Sequence, residues 1–582
     1  MTTTETPVAP TRKLFSCLSI PPDAGKDLLI LAGLWSASLL IVWPVGNFPL
    51  NDDWAFARTV KRFLESREYY PTPWAAMPLL TQTLWGTLFC LPAGFSFHAL
   101  RCSTLVMSFA GLLLTYLALR YVQPSRWVAV LGTLTLAFNP IYFSLSNTFM
   151  TDVPFTALLI GAAFFLFRHL KDGSNLDAII GSALALAATL SRQLALAIPV
   201  SYAVCVIWSR HFKNGWWARA VAPLLLSVGG LIAYQHWMRT TGRLPASFDK
   251  MNLRVFWMLS DPQLILTGLS SHAGIAMLYL GLFAAPVTVL LLPDIWASRK
   301  VPKAFLTAAG AAVCFMLIFT GDLVYLRPPM PSVGNILIAQ GIGPLTLNGA
   351  LGSAAATLPS VGKPFWFGVS IISAAGGALL LAWAAASMVR RWRSYCVLTL
   401  PIELAARVFF LFCLFGYLFP ISVVGGWDRY FLPAVPFLLL AVPSSTAPNF
   451  PIADRRQTLE PCPAFRYKTF SALLIMFMAV YSICGTHDYL NWNRARWRAL
   501  NDLMANGKTK PEDVDGGFEF NAWYLYDPDF KTPKGKNFWW VHRDDYVIAF
   551  GELPGYRIAK EYYYSNWLPP THRKVLLLRK EE

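Results

Sequence analysis

The stretch Trp74–Gly94, WAAMPLLTQTLWGTLFCLPAG, decides how the rest of the chain is threaded. It is apolar and long enough to cross a hydrocarbon core, which takes about 20 residues. Yet Pro78 and Pro92 interrupt it, Pro73 precedes it, and Gln82 sits in its middle. Counting it as a span would also place the arginines that follow on the wrong faces. We therefore read it as a partly buried juxtamembrane helix inside a long external loop, 46–99.

That reading orders everything around it. A first span near Leu28–Val45 follows a polar tail, residues 1–27, whose Arg12, Lys13 and Lys26 mark the cytoplasmic side. This span is read as retained, not as a cleaved signal peptide. A second, about Leu100–Tyr121, ends at Arg120 and Arg126 inside. A third, about Trp127–Leu145, returns outward, and a fourth, Val153–Leu166, ends at Arg168 and Lys171. The fifth and sixth flank Ser191-Arg192-Gln193. Further spans follow near 217–237, 272–293, 304–321, 365–388, 404–424, 430–443 and 469–485, with Arg299, Lys300, Lys303, Arg390, Arg391, Arg393, Arg455 and Arg456 in cytoplasmic loops. The count is thirteen spans over residues 28–485. An odd count puts residues 486–582 outside as a small α/β domain, in which Val575-Leu576-Leu577-Leu578 reads as a buried strand. The loop from Tyr325 to Pro364, rich in Gly, Pro and Ala, is expected to act as a flap over an external cavity.

Composition supports this class. Of 582 residues, 55% are hydrophobic and 14% charged, with mean hydropathy +0.45. A soluble domain carries about 25% charged residues. An all-α polytopic membrane protein is implied; a cytosolic enzyme, a secreted disulfide scaffold and a disordered chain are excluded. The net charge of +17 lies mostly between apolar runs, so nucleic acid is not an expected partner. Nine cysteines form no CxxC pair and eight histidines are scattered, so no zinc site or disulfide framework is indicated. Whether a divalent metal ion takes part is left open.

The chemistry-bearing residues gather at the outer ends of spans. Asp52-Asp53 follows the first span, where one carboxylate can act as general base while its neighbour tunes it or holds a cation; the plain alternative is a solvated loop start. Asp152, in Met150-Thr151-Asp152-Val153-Pro154, suits an N-cap, but it shares the outer face with the first pair. Arg192 breaks two apolar helices, a functional position by default in a membrane and one suited to forking onto a phosphate; a snorkelling side chain is the alternative. Arg429, in Gly425-Gly426-Trp427-Asp428-Arg429-Tyr430, is a second external arginine at a helix start, or an interfacial anchor. Arg58 is a weaker phosphate candidate, and His98, Arg101, His272 and Arg327 read better as structural. Trp54, Gln193 and Tyr430, each next to one of these charges, are assigned to the substrate pocket.

This pattern resembles the integral-membrane C-type glycosyltransferases (GT-C), in the branch of protein O-mannosyltransferases, the aminoarabinose transferase of lipid A and related lipopolysaccharide glycosyltransferases. The residues that carry it are Asn51-Asp52-Asp53-Trp54 after the first span, Arg101 opening the second, Thr151-Asp152-Val153-Pro154, and the Ser191-Arg192-Gln193 break. They cover about 28–240; the remainder is similar in topology. The resemblance implies a GT-C-like core, a polyprenyl-phosphate-linked sugar as donor and inversion at the anomeric carbon. Asp52 or Asp53 would be the first-loop acid and Asp152 the second-loop acid. It further implies an acceptor hydroxyl on a glycolipid, lipopolysaccharide, glycan or protein, at the extracytoplasmic face of a bacterial inner membrane. Two departures stand out. Many relatives carry Asp-Glu in the first loop, and His-Pro-Pro or Lys-Pro-Pro before the juxtamembrane helix, where this chain has Trp74-Ala75-Ala76-Met77-Pro78.

A lipid or solute transporter, or flippase, is the alternative. It would favour internal repeats and mid-span polar residues. No repeat is visible, and Glu403 with Arg407 forms an i,i+4 pair near an inner span end. A ligase or polymerase using lipid-diphosphate glycans is a third reading.

Overall fold

The structure, a computed structural model, describes residues 23–122, 125–209, 216–292, 310, 329–347, 361–395, 402–441, 462–505 and 507–581. Helices dominate it. The first, α1 (Ala24–Val42), is tied to the inner ends of its neighbours: Asp27 accepts hydrogen bonds from Arg126 at 2.5 and 2.8 Å and from Tyr116 Oη at 2.7 Å, and Asp23 pairs with Arg120. Between α1 and the next long helix lie α2 (Asp53–Ser66) and α3 (Leu80–Cys90). The eleven residues of α3 reach about 16 Å at 1.5 Å per residue, half of a hydrocarbon core of about 30 Å. The 74–94 run therefore does not form a membrane-length helix.

The helices α4 (Phe97–Val122), α5 (Arg126–Ala137), α6 (Pro140–Ser146), α7 (Asp152–Asp172), α8 (Asn175–Thr189), α9 (Ala197–Ser209), α10 (Trp216–Thr240), α11 (Ala246–Ser260) and α12 (Pro262–Thr288) follow. After these come α13 (Lys363–Tyr395), α14 (Ile402–Val424), α15 (Ala434–Ala441) and α16 (Cys462–Met504). Among the described residues seven helices are long and apolar enough to cross a membrane, and eight if α5 and α6, bent by 61°, are one span. The protein is an integral, multi-pass membrane protein. Thirteen crossings are not established by length: α8, α9 and the apolar part of α14 are shorter helices, and the span expected at 304–321 lies outside the described residues, save Gly310. The side chains of Glu403 and Arg407 lie outside them as well.

Local chemistry explains two features that build the site. Pro140 cannot donate to the α5 ladder, and the Asn139 side chain caps the restart by accepting from Ile141 N and Tyr142 N at 3.0 and 3.2 Å. The resulting bend delivers the turn 147–152 as buried backbone. The second feature is the close contact of α12 with α13. A Cβ on Gly281 would stand 2.1 Å from Ser373 O, so only glycine lets these backbones approach.

The outer part is a small mixed sheet on α16. Strands β3 (Val514–Asp515), β4 (Tyr546–Ala549), β5 (Tyr556–Trp567) and β6 (Pro570–Lys580) are ordered β3-β4-β6-β5, with β3–β4 parallel and the rest antiparallel. Val575–Leu578 is buried within β6, as its apolar run predicts. Asp488 fixes the β5–β6 turn by accepting from Trp567 N and Leu568 N at 2.7 and 2.8 Å. The helix α16 runs unbroken through position 485, where the sequence suggested a boundary.

Of the expected flap, residues 329–347 and 361–364 are described, and the first stretch is fastened. Strands β1 (Leu337–Ile338) and β2 (Gly341–Ile342) form a short hairpin. The buried Asp428 accepts from Leu337 N at 2.6 Å and from Ile336 N at 2.9 Å, and its own amide donates to Val333 O.

Candidate active site

The first acidic loop is held by its own second carboxylate. Asp53 is fully buried; one oxygen accepts from Leu50 N at 2.6 Å and the other from Phe149 N at 3.1 Å. Burial pushes its carboxyl from an ordinary 3.8 to about 7, against the pull of Arg101 and of the two amides. Asp53 therefore joins this loop to the turn before α7, and its complete burial keeps it from a substrate. Asp52 has the opposite situation. Its side chain is 18% exposed, pairs with Arg429 Nη2 at 2.9 Å, and accepts from Trp74 Nε1 at 3.0 Å.

The second acid completes the arrangement. Asp152, at the start of α7 and fully buried, forms an ion pair with Arg192 Nη2 at 3.0 Å, while Arg192 also donates to Thr151 Oγ1 from Nε and Nη2. The Tyr430 ring lies between the two arginines, its centroid 5.7 Å from Arg192 Cζ and 5.6 Å from Arg429 Cζ. Two carboxylates and two guanidiniums thus share one aromatic ring with no net charge. Each buried charge has its counter-ion, which a low-dielectric site requires.

Beside this group opens a cavity of about 660 Å³. Arg192, Gln193 and Tyr430 line it, together with Asn252, Arg254 and His272. Gln193 Nε2 donates to Asn252 Oδ1 at 3.2 Å. The His272 Nδ1 contacts Gly268 O at 3.0 Å, and Nε2 faces Gly425, where a Cβ would come within 2.8 Å and where φ is +80°. Arg254, on α11, is exposed; its Nη2 donates to Val424 O at 3.3 Å and no carboxylate among the described residues lies within ion-pair distance. The lining holds Arg192, Arg254 and His272 and no carboxylate.

Two assigned residues point elsewhere. Trp54 and Arg58 are four apart on α2, hence on one face, and that face meets the C-terminal domain. Trp54 is buried among Trp74, Phe518, Tyr526 and Trp540, with centroids 5.0–6.2 Å away. Arg58 donates to Ala522 O at 3.3 Å and lies over the Tyr526 ring. Neither lines the cavity. Arg101 is structural, donating to Gly46 O and Phe48 O at 2.5 and 2.6 Å. Arg327 lies outside the described residues, and no three His, Cys, Asp or Glu side chains converge among them.

Three contributors escaped sequence reasoning. Arg254 has a weak signal, an arginine on an amphipathic helix between spans. Trp74 was not weighed as a site residue, and its indole N–H donates to Asp52. Asp428 was passed over for its neighbour Arg429, although an acid beside an arginine at a helix start is itself notable.

Residues 77–238 match the family model of dolichyl-phosphate-mannose-protein mannosyltransferases. The resemblance to the C-type glycosyltransferases holds in this stretch. It includes Asp152, Arg192 and Gln193 and stops short of Asp52 and Arg429. Among solved structures, the chain is similar to ArnT from Cupriavidus metallidurans bound to undecaprenyl phosphate, at 13% identity and TM-score 0.38, over 95% of this chain and 97% of that one. It is similar to ArnT from the same organism in the apo state at 13% identity and TM-score 0.37, over 95% and 98%. No curated protein gives a significant match.

Proposed function

We propose that this protein transfers a sugar from a polyprenyl-phosphate donor to an acceptor hydroxyl at the extracytoplasmic face of a bacterial inner membrane, with inversion, and that Asp52 is the general base. The observation that carries this reading is the pairing of a partly exposed carboxylate, Asp52, with a neighbouring cavity lined by two arginines and a histidine and by no carboxylate. The family match to lipid-phosphate-dependent mannosyltransferases supports the donor class.

The chemistry balances without a covalent intermediate. The donor is a phosphodiester between lipid and sugar. As the acceptor oxygen bonds to the anomeric carbon, its proton passes to Asp52, and the electron pair of the breaking C–O bond stays on the phosphate. The lipid leaves as a phosphate monoester, whose added negative charge needs cations and no proton. Arg254, which has no acidic partner among the described residues, takes that charge together with Arg192 at the cavity wall. Asp152 keeps Arg192 in place, and Arg429 keeps Asp52 aimed. In this reading residues 28–485 form the catalytic membrane module, 1–27 a cytoplasmic tail and 486–582 an extracytoplasmic domain.

The test is a vesicle assay. Proteoliposomes given radiolabelled polyprenyl-phosphate sugar and membrane-derived acceptor, without nucleotide sugar, should release lipid phosphate and move label into the acceptor. Label that crosses the bilayer still attached to its lipid would favour a flippase and sink the transferase.

A further inference from the structure

We propose that Glu519, in the C-terminal domain, is a positioning residue for Asp52, so that this domain completes the catalytic centre. The inference rests on the reading of Asp52 as the base.

Asp52 is flanked by two residues that are each held from afar. On one side is Asp53, fixed by Phe149 N. On the other is Asn51, which is buried and has φ +55°, the left-handed region that asparagine enters more easily than most residues. This conformation turns the chain from the extended segment at Leu50 into α2, and it aims the Asp52 side chain towards Arg429. The Asn51 amide donates to Glu519 Oε1 at 3.0 Å, and its side-chain Nδ2 donates to Asn335 Oδ1 at 2.9 Å. Two separate parts of the fold thus grip this one residue.

Glu519 is itself rigidly held. It lies on α17 (Phe518–Leu525), is completely buried, and pairs with the equally buried Arg496 of α16 at 2.6 Å. The same oxygen, Oε2, accepts from Thr346 Oγ1 at 2.6 Å. One carboxylate therefore receives Asn51 on one oxygen, and Arg496 and Thr346 on the other. A buried charge that ends on the backbone beside a base is well suited to fixing its direction. Misplacement by about 1 Å is enough to cost about a hundredfold in rate. Neither Glu519 nor Asn51 lines the cavity, so donor binding does not depend on them directly.

The test compares two neutral replacements of the ion pair in the full-length protein. In Arg496→Met/Glu519→Gln the amide oxygen can still accept from Asn51. In Arg496→Met/Glu519→Leu it cannot. We expect the Leu variant to lose at least tenfold in kcat with donor KM unchanged, and the Gln variant to keep most of its kcat. In an Asp52→Asn background the difference between the two should vanish, because Glu519 acts only through Asp52. Should the Leu variant not fold, Glu519→Asp with Arg496 intact gives the same reading: lower kcat, unchanged donor KM, no effect once Asp52 is Asn. Equal kcat in the Gln and Leu variants, a parallel rise in donor KM, or a loss that persists in the Asp52→Asn background overturns the role of Glu519 alone. Full turnover in Asp52→Asn overturns the base itself, and this role with it.

Discussion

Asp52 and Arg429, 377 positions apart in the chain, meet at 2.9 Å. The pair joins the start of α2 to the short 3-10 turn Asp428–Phe431 that precedes α15, and Tyr430 extends it to Arg192 and Asp152. This arrangement separates two jobs that the doublet Asp52-Asp53 left open. The first acid faces cations and solvent; the second is consumed by backbone amides. The following outcomes are expected from that division.

Asp52→Asn removes basicity with little change in shape. Turnover should fall by roughly 10²–10⁴ while donor binding persists, read from initial rates and from a lipid-binding assay. Near-native turnover in this variant would refute the assignment.

Asp53→Asn should act on stability in a pH-dependent way. Its folded carboxyl lies at about 7 against an ordinary 3.8, so the folded state holds a proton that the unfolded chain has lost between those values. The contribution of Asp53 is fully present below about pH 4 and fades as pH rises through about 7. The variant loses this slope and also the acceptor for Phe149 N. Melting temperatures of wild type and variant should therefore differ most at about pH 4 and below, with the gap shrinking as pH rises towards 8. A gap that does not change with pH would contradict the burial argument.

The two cavity arginines should separate. Arg254→Gln removes an exposed cation without an acidic partner among the described residues, so donor KM should rise by about tenfold, a typical worth of one charge-assisted contact after screening, with the fold intact. Arg192→Ala strands the buried Asp152, and about 3–5 kcal/mol of stability should go with it. Arg192→Lys keeps the charge but not the fork, and weaker donor binding is expected. Identical melting curves for Arg192→Ala and wild type would return Arg192 to a peripheral role.

Donor charge should matter as well. With Arg192, Arg254 and His272 in its lining and no carboxylate there, the cavity suits a phosphate bearing an uncharged sugar. An ammonium-bearing sugar on the same lipid should be used about tenfold less well, since like charges repel most where water is scarce. Equal kcat/KM for the two donors would show that the sugar sits elsewhere.

Topology offers an independent check. Reporters fused after Gly46 and after Gly94 should both report the outside, because α3 is too short to cross. A cytoplasmic signal after Gly94 would reverse the sidedness of Asp152 and Arg192.

What the sequence by itself determined follows from properties that act locally. Apolar length marks a span, prolines and Gln82 deny one to 74–94, and a short continuous apolar run marks Val575–Leu578 as a buried strand. Charges in apolar surroundings, Asp52, Asp152, Arg192 and Arg429, were visible because burying them is expensive unless something pairs with them. What only the tertiary structure decided is which partner each charge has. Asp53 outwardly matches Asp52 but spends both oxygens on amides from two different loops. Trp54 and Arg58 share a helix face with each other and not with the cavity. Arg254 gained its place because no acid among the described residues comes near it, and Glu519 because α17 carries it to Asn51. Pairing between residues hundreds of positions apart depends on how the helices and the outer sheet pack together, and local pattern carries no trace of it.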